Sequence, residues 1–237
     1  MGANAGSIVD NAGRHKGAKA VKESEPHKDS IRSQNERKIL RAAELEFVRH
    51  GYKGTSMQAI ADRADLPKAN IHYYFKSKAK LYSCMLENIT ELWNSTLAEI
   101  SEGDNPAQVL TRYIRTKVEM SMTYPEASKI YAMEIIQGAP HLHDHLRKRT
   151  RQWMREKVRI IESWIVQGKM NPVDPTHLIF LIWSSTQHYA DFNTQVLTIT
   201  NQLEYEQEDI DQITRFLCEV ILGGCGLQPD LTVLGSC

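Results

Sequence analysis

The chain holds 237 residues, 41% of them hydrophobic and 24% charged, with 29 Lys and Arg against 29 Asp and Glu. This is the composition of an ordinary soluble globular protein, long enough for one large domain or two modest ones. The longest apolar run, HLIFLIW, is too short to cross a bilayer, no charged-then-apolar leader opens the chain, and Cys84, Cys218, Cys225 and Cys237 show neither CxxC pairs nor a framework spacing, so the expected setting is a reduced cytoplasm.

The neutral total hides an asymmetry. Residues 33–84 carry ten Lys/Arg and five Asp/Glu, a net of +5, residues 85–237 carry thirteen and twenty, a net of −7, and the first 32 residues add +2. A basic module joined to an acidic one implies that only the first meets a polyanion.

In chain order, residues 1–32 are rich in Gly, Ala, Lys and Ser, with almost no large apolar residue. They cannot bury enough surface to offset chain entropy and are expected to be a disordered tail. Ser33 and Glu36 have the spacing of a capping box, which predicts a helix start there, with Leu40, Ala43 and Phe47 on one face and Gly51 at the stop. Thr55 and Gln58 form a second box before a short helix, SMQAIADRA; a tight turn, DLPK, leads to another of two turns, KANIHYYF. Ser77 opens a longer helix reaching Ile100, with Leu81, Met85, Ile89, Leu92 and Ile100 roughly on one stripe. From Pro106 the pattern stays helical, with breaks at TYPEA, QGAPHLH, GKMNPVDP and TNQLEYEQED, and with no period-two alternation, βαβ rhythm, Gly-rich phosphate loop or internal repeat. The expected fold class is all-α, with about nine helices: a three-helix DNA-binding domain at 33–80, a bundle at 81–227 and a flexible tail at 228–237.

Two short helices joined by a four-residue turn, with a third behind, make a helix-turn-helix arrangement. The second helix must enter the major groove of double-stranded DNA, so it needs small residues for close approach and polar groups for base edges. Ala69 allows the approach, while Asn70 and His72 can address bases. Lys68, Tyr73 and Lys78 can hold phosphates, as can the helix N-terminus at Thr55 and Gln58. Ile71 and Phe75, four apart, face the core, and Tyr74 is expected beside them; Lys76 and Lys80 read equally well as solvated charges.

The whole segment ILRAAELEFVRHGYKGTSMQAIADRADLPKANIHYYFKSKAKLY resembles the N-terminal domain of the TetR family of bacterial repressors. It departs from that pattern at Asp65, Pro67, His72 and Ala79, which bears on base preference rather than fold. The resemblance implies a C-terminal all-helical domain that binds a ligand and forms a homodimer on a palindromic operator. YIRTKVEMSMTYPEASKIYAMEIIQGAPHL and DPTHLIFLIWSSTQHYADFNTQV are similar to members of that family that answer to uracil in pyrimidine utilisation. The effector this implies is a small planar pyrimidine, and the role a repressor in nucleobase metabolism.

The residues independently suit a small polar ligand. Trp183 and Gln187 are one turn apart on an apolar helix, an indole surface beside a carboxamide with one donor and one acceptor edge. Tyr131, Met133 and Glu134 of the earlier IYAMEII helix are candidates for the opposite wall. The bland alternative is a core Trp with a Gln bonded to a neighbouring helix. In HLHDH, His141 and His145 share a helical face, yet no third ligand accompanies them, so neither metal nor cofactor is expected. Ile210, Ile213, Leu217, Val220 and Ile221 form a stripe that, with a helix at 176–196, is the expected dimer interface. Nucleophile-elbow, Walker and zincin motifs are missing, so no enzyme is expected. A small all-α enzyme using the Trp/Gln pair leaves the basic module unexplained, and an architectural DNA-binding protein leaves the acidic apolar domain unexplained. A regulator of the same type answering to an unrelated small molecule stays open.

Overall fold

A computed structural model describes residues 26–230 and 232, and every regular element among them is helical. The first helix, α1 (Pro26–Gly54), starts ahead of the Ser33–Glu36 box and runs through it. Proline is well placed there, because its fixed φ suits a first turn and it has no N–H to leave unpaired. The expected tail therefore overlaps α1 from residue 26, and its remainder lies outside the described residues. Gly51 breaks the helix with φ 66° and ψ 175°, a conformation open to glycine.

Then follow α2 (Met57–Ala64), α3 (Lys68–Phe75) and α4 (Lys78–Ser95), the last N-capped by the Ser77 hydroxyl as expected. Ile39, Ala43 and Phe47 of α1, Ile60 of α2, Ile71 and Phe75 of α3, and Leu81 and Met85 of α4 close one core. Leu92 leaves the expected stripe and faces solvent, and Ile100 lies beyond the helix end.

Prolines and polar caps punctuate the rest. The remaining helices are α5 (Pro106–Thr123), α6 (Pro125–Ile136), α7 (His143–His145), α8 (Arg151–Val166), α9 (Pro175–Asp191), α10 (Asn193–Thr200) and α11 (Gln207–Gly224). Asn105 caps α5 and Asp174 caps α9, each ahead of a proline in the first turn. A π-helical turn, Leu146–Thr150, joins α7 to α8 without leaving right-handed helical backbone. The helix expected at 176–196 is divided at Phe192 between α9 and α10.

The end of α4 has a specific cause. Carbonyls left over where α4 stops and the chain turns accept hydrogen bonds from one face of α8: Trp153 Nε1–H to Asn94 at 3.2 Å, Lys157 Nζ to Ala98 at 2.8 Å, and Trp164 Nε1–H to Ser101 at 3.0 Å. Near the same turn, Gly226 (φ 69°) admits close contact with the loop before α9, where a Cβ would lie 2.5 Å from Asn171 Nδ2.

A second core joins α5, α8, α9 and α11 through Tyr113, Ile114, Trp164, Ile182 and Leu222. It corrects four of the five residues of the expected dimer stripe, Val220 alone staying outward. Leu217 and Ile221 are 6% and 4% exposed inside this core, and Ile210 and Ile213 pack against it. The helix has a second apolar edge, Phe216 and Val220, and that edge faces outward. The first core, for its part, extends past α4 to Ala127 and Ile130 of α6, so packing does not divide at residue 80.

Candidate DNA interface and effector site

Ser56, not Thr55, caps α2, its hydroxyl accepting from Ala59 N–H at 3.0 Å. The turn passes through Asp65 in the left-handed region (φ 51°, ψ 50°), which a short polar side chain tolerates. Its N–H closes the end of α2 on Ala61 and Asp62 carbonyls. A buried Glu46 carboxylate on α1 pairs with Arg63 and fixes α2 against α1, a link between distant positions that local patterns do not reveal.

On α3 the two apolar positions point inward as expected, and Tyr74 is half-buried with its hydroxyl 3.4 Å from Asn35 Nδ2. Lys68, Ala69, His72 and Tyr73 face solvent and Asn70 is half-buried, one surface at the tip of the domain. His72 Nδ1 lies 3.2 Å from the Lys76 carbonyl, which accepts from it when that nitrogen carries a proton. Gln58 is exposed on α2, its amide donating to Asp62 at 2.7 Å.

Two expected phosphate contacts are corrected. Thr55 is buried, its N–H donates to the Gly51 carbonyl at 3.2 Å, and its hydroxyl donates to the carbonyls of Glu46 (3.0 Å) and Gly51 (2.9 Å). Lys78 donates to the carbonyls of Tyr52 (2.7 Å) and Thr55 (2.8 Å), with its ammonium 4.6 Å from the Tyr52 ring centre. Carbonyls stranded where α1 breaks need donors, and these two side chains supply them. Lys78→Ala is therefore expected to lower the stability of the folded domain by about 1–3 kcal/mol, read as the urea midpoint. Lys68→Ala should leave the midpoint unchanged and weaken DNA binding on all sequences alike.

The candidate effector site lies between α6 and α9. A cavity of about 550 Å³ is lined by Tyr131, Met133, Lys129, Gln187, Asp191 and Phe192, among others. Three of the expected ligand residues thus come together: Tyr131, Met133 and Gln187. Trp183 does not line it. Its side chain leans toward the helix N-terminus, where its Nε1–H donates to the Tyr113 hydroxyl at 2.7 Å and its ring meets Trp153 at 5.8 Å. Spacing placed Trp183 and Gln187 on one side, but not in one pocket.

Glu134 also turns away from the cavity. Its buried carboxylate accepts from the His141 N–H at 2.6 Å, lies 3.4 Å from the His141 ring nitrogen, and meets the Tyr82 hydroxyl. Burial, and then this carboxylate, push the Tyr82 phenol up. The His141 ring packs against Tyr52 of α1 at 4.2 Å and Tyr82 of α4 at 5.1 Å. Of the other histidines in HLHDH, His143 is exposed and His145 buried, and no group of three metal-ligating side chains occurs among the described residues.

Sequence reading passed over Lys117. It lies on the buried face of α5, 2% exposed, with its ammonium 4.6 Å from the centre of the Trp93 ring. Desolvation pushes it down to about 7, against a weaker opposite pull from Asp191. Asp191 in turn is raised by burial and accepts from the Ser128 hydroxyl at 2.6 Å. The available signal was a lysine in register with Tyr113, Ile114 and Ser121 on an otherwise buried face.

Residues 39–84 match the family model described as bacterial regulatory proteins, tetR family, and residues 86–228 match that for the YcdC-like protein C-terminal region. The chain belongs to the TetR family. The regulator RutR of Escherichia coli K12 is 38% identical over 192 residues, 81% of this chain and 91% of that protein. The repressor NicS of Pseudomonas putida is 27% identical over 78% of this chain and 90% of its own length. Among solved structures, a TetR-like regulator from Rhodococcus sp. RHA1 has a TM-score of 0.57 at 20% identity, covering 80% of this chain and 94% of its own. AibR, solved with isovaleryl coenzyme A and operator DNA, has a TM-score of 0.59 at 19% identity, covering 79% and 98%. Like these TetR-family relatives, the chain is a helix-turn-helix transcriptional regulator and not an enzyme. No helix among the described residues is long and apolar enough to cross a membrane.

Proposed function

We propose that this regulator is a cytoplasmic homodimeric repressor, released from a palindromic operator by a small planar effector of the pyrimidine class, uracil or a catabolite of it. One observation carries the reading: the wall of the cavity and the link to the DNA-binding helices are two faces of α6. Tyr131 and Met133 turn to the cavity, while Glu134, on the same helix, holds His141 against Tyr52 and Tyr82. A ligand that favours one stance of α6 therefore acts on α1 and α4, which carry the helix-turn-helix, by as much as its affinity differs between the two stances.

The Gln187 carboxamide and the Tyr131 ring suit a cyclic amide or imide. The likeness to uracil-responsive members of the family supports the same class. Repression agrees with the name of NicS. Dimer formation is supported by apolar side chains that α9 and α11 turn to solvent: Phe180, Leu181, Phe216 and Val220. Two recognition helices then grip half-sites one groove repeat apart. A thermal-shift panel of uracil, thymine, their reduced and ring-opened products, and unrelated thioesters tests the effector class. Uracil or a near relative is expected to raise the melting temperature; stabilisation by an unrelated class alone overturns this reading.

A further inference from the structure

Lys117 is a buried cation and Asp191 a half-buried anion, on α5 and α9, and they do not close an ion pair. Among the described residues, no acceptor lies within hydrogen-bond reach of Lys117 Nζ; its contacts are the face of Trp93 and the longer-range field of Asp191. A buried ammonium in this state is costly, because an indole face replaces only part of its hydration. Asp191 is held by Ser128 and at the same time lines the cavity, next to Gln187 one turn earlier on α9. Lys117 is not itself among the residues lining the cavity; it lies one layer behind, over Trp93, whose ring meets that of the lining Tyr131 at 76° with centres 4.9 Å apart.

We propose that Lys117 is the specificity-determining anchor of the effector site. Its ammonium donates to a carbonyl oxygen of a neutral cyclic amide or imide, whose adjacent ring N–H is accepted by Asp191 or by the Gln187 carbonyl. This deepens the effector reading above and rests on it. A donor beside an acceptor selects a ligand edge on which C=O and N–H are neighbours. Asp191 is acted on by two lysines, Lys117 and the cavity-lining Lys129, so selection of a neutral ring rests on its paired donor and acceptor edge and not on net charge.

The test is titration calorimetry on the full-length protein with uracil and with its ring-opened ureido acid, for the wild type, Lys117→Met and Asp191→Asn. Loss of a charge-assisted hydrogen bond should weaken uracil binding about ten- to hundred-fold in Lys117→Met, with operator affinity in the absence of ligand unchanged. Methionine keeps the length of the stem without the charge, and an unaltered or higher melting temperature shows that the fold is retained. Lys117→Arg, which keeps the charge and the donors, should recover part of the affinity. Wild-type uracil binding with Lys117→Met within three-fold of it overturns this proposal alone. Tighter binding of the ring-opened acid than of uracil overturns the neutral class. A wild type that binds none of the ring compounds overturns both the anchor and the effector reading.

Discussion

Lys117→Met is expected to make the unliganded protein more stable while removing its response to effector. In the unfolded chain this lysine titrates in the usual range, but folding buries it and brings it down to about 7. The unfolded state therefore binds more protons between about pH 7 and 10.5, and wild-type stability rises with pH through that window. Below it the full penalty is present. Each tenfold loss of proton affinity on folding corresponds to about 1.4 kcal/mol, less the cation–π contact with Trp93 that the substitution also removes. A gain on the order of 2–4 kcal/mol near pH 7 follows, shrinking as the pH is raised toward 9.5. Urea midpoints of the two proteins at pH 6.5 and pH 9 check this. A variant less stable than the wild type at both values would show that the buried ammonium is well solvated or well paired.

Phe216→Glu combined with Val220→Glu should give a folded monomer with operator affinity reduced about 10²- to 10⁴-fold, the loss expected when two linked sites become separate ones. Both side chains are more than half exposed on the single chain, at 59% and 57%, so charge there costs the monomer little. The same change at Leu217 and Ile221 would bury charge against α5 and unfold the chain, and says nothing about assembly. Light scattering and near-ultraviolet dichroism separate the two results. A double variant that remains dimeric with full affinity would place the interface elsewhere.

What was legible in the sequence was local. Gly51, Asp65 and Ser77 mark breaks and caps set by residues a few positions away, and the inward spacing of Ile71 and Phe75 is a property of α3 itself. The misplaced residues all depend on partners far along the chain. Thr55 and Lys78 looked like phosphate ligands because the carbonyls that hold them belong to the end of α1 and the residue just after it. Trp183 was drawn from the cavity by Tyr113, 70 positions earlier. On α11, two apolar edges compete, and periodicity alone does not say which one α5 covers. Lys117 escaped notice because a lysine among apolar residues ordinarily extends its head to water, whereas α4 and α9 close over this one.

The most direct measurement is the affinity of the purified protein for a palindromic site selected from random DNA, by fluorescence anisotropy, with and without uracil. Uracil is expected to weaken binding ten-fold or more, a coupling of about 1–3 kcal/mol. Gln187→Ala, in the cavity and far from α3, should bind the same DNA equally well and no longer respond. Unchanged wild-type affinity at millimolar uracil and dihydrouracil, or a Gln187→Ala protein that responds like the wild type, would contradict the account.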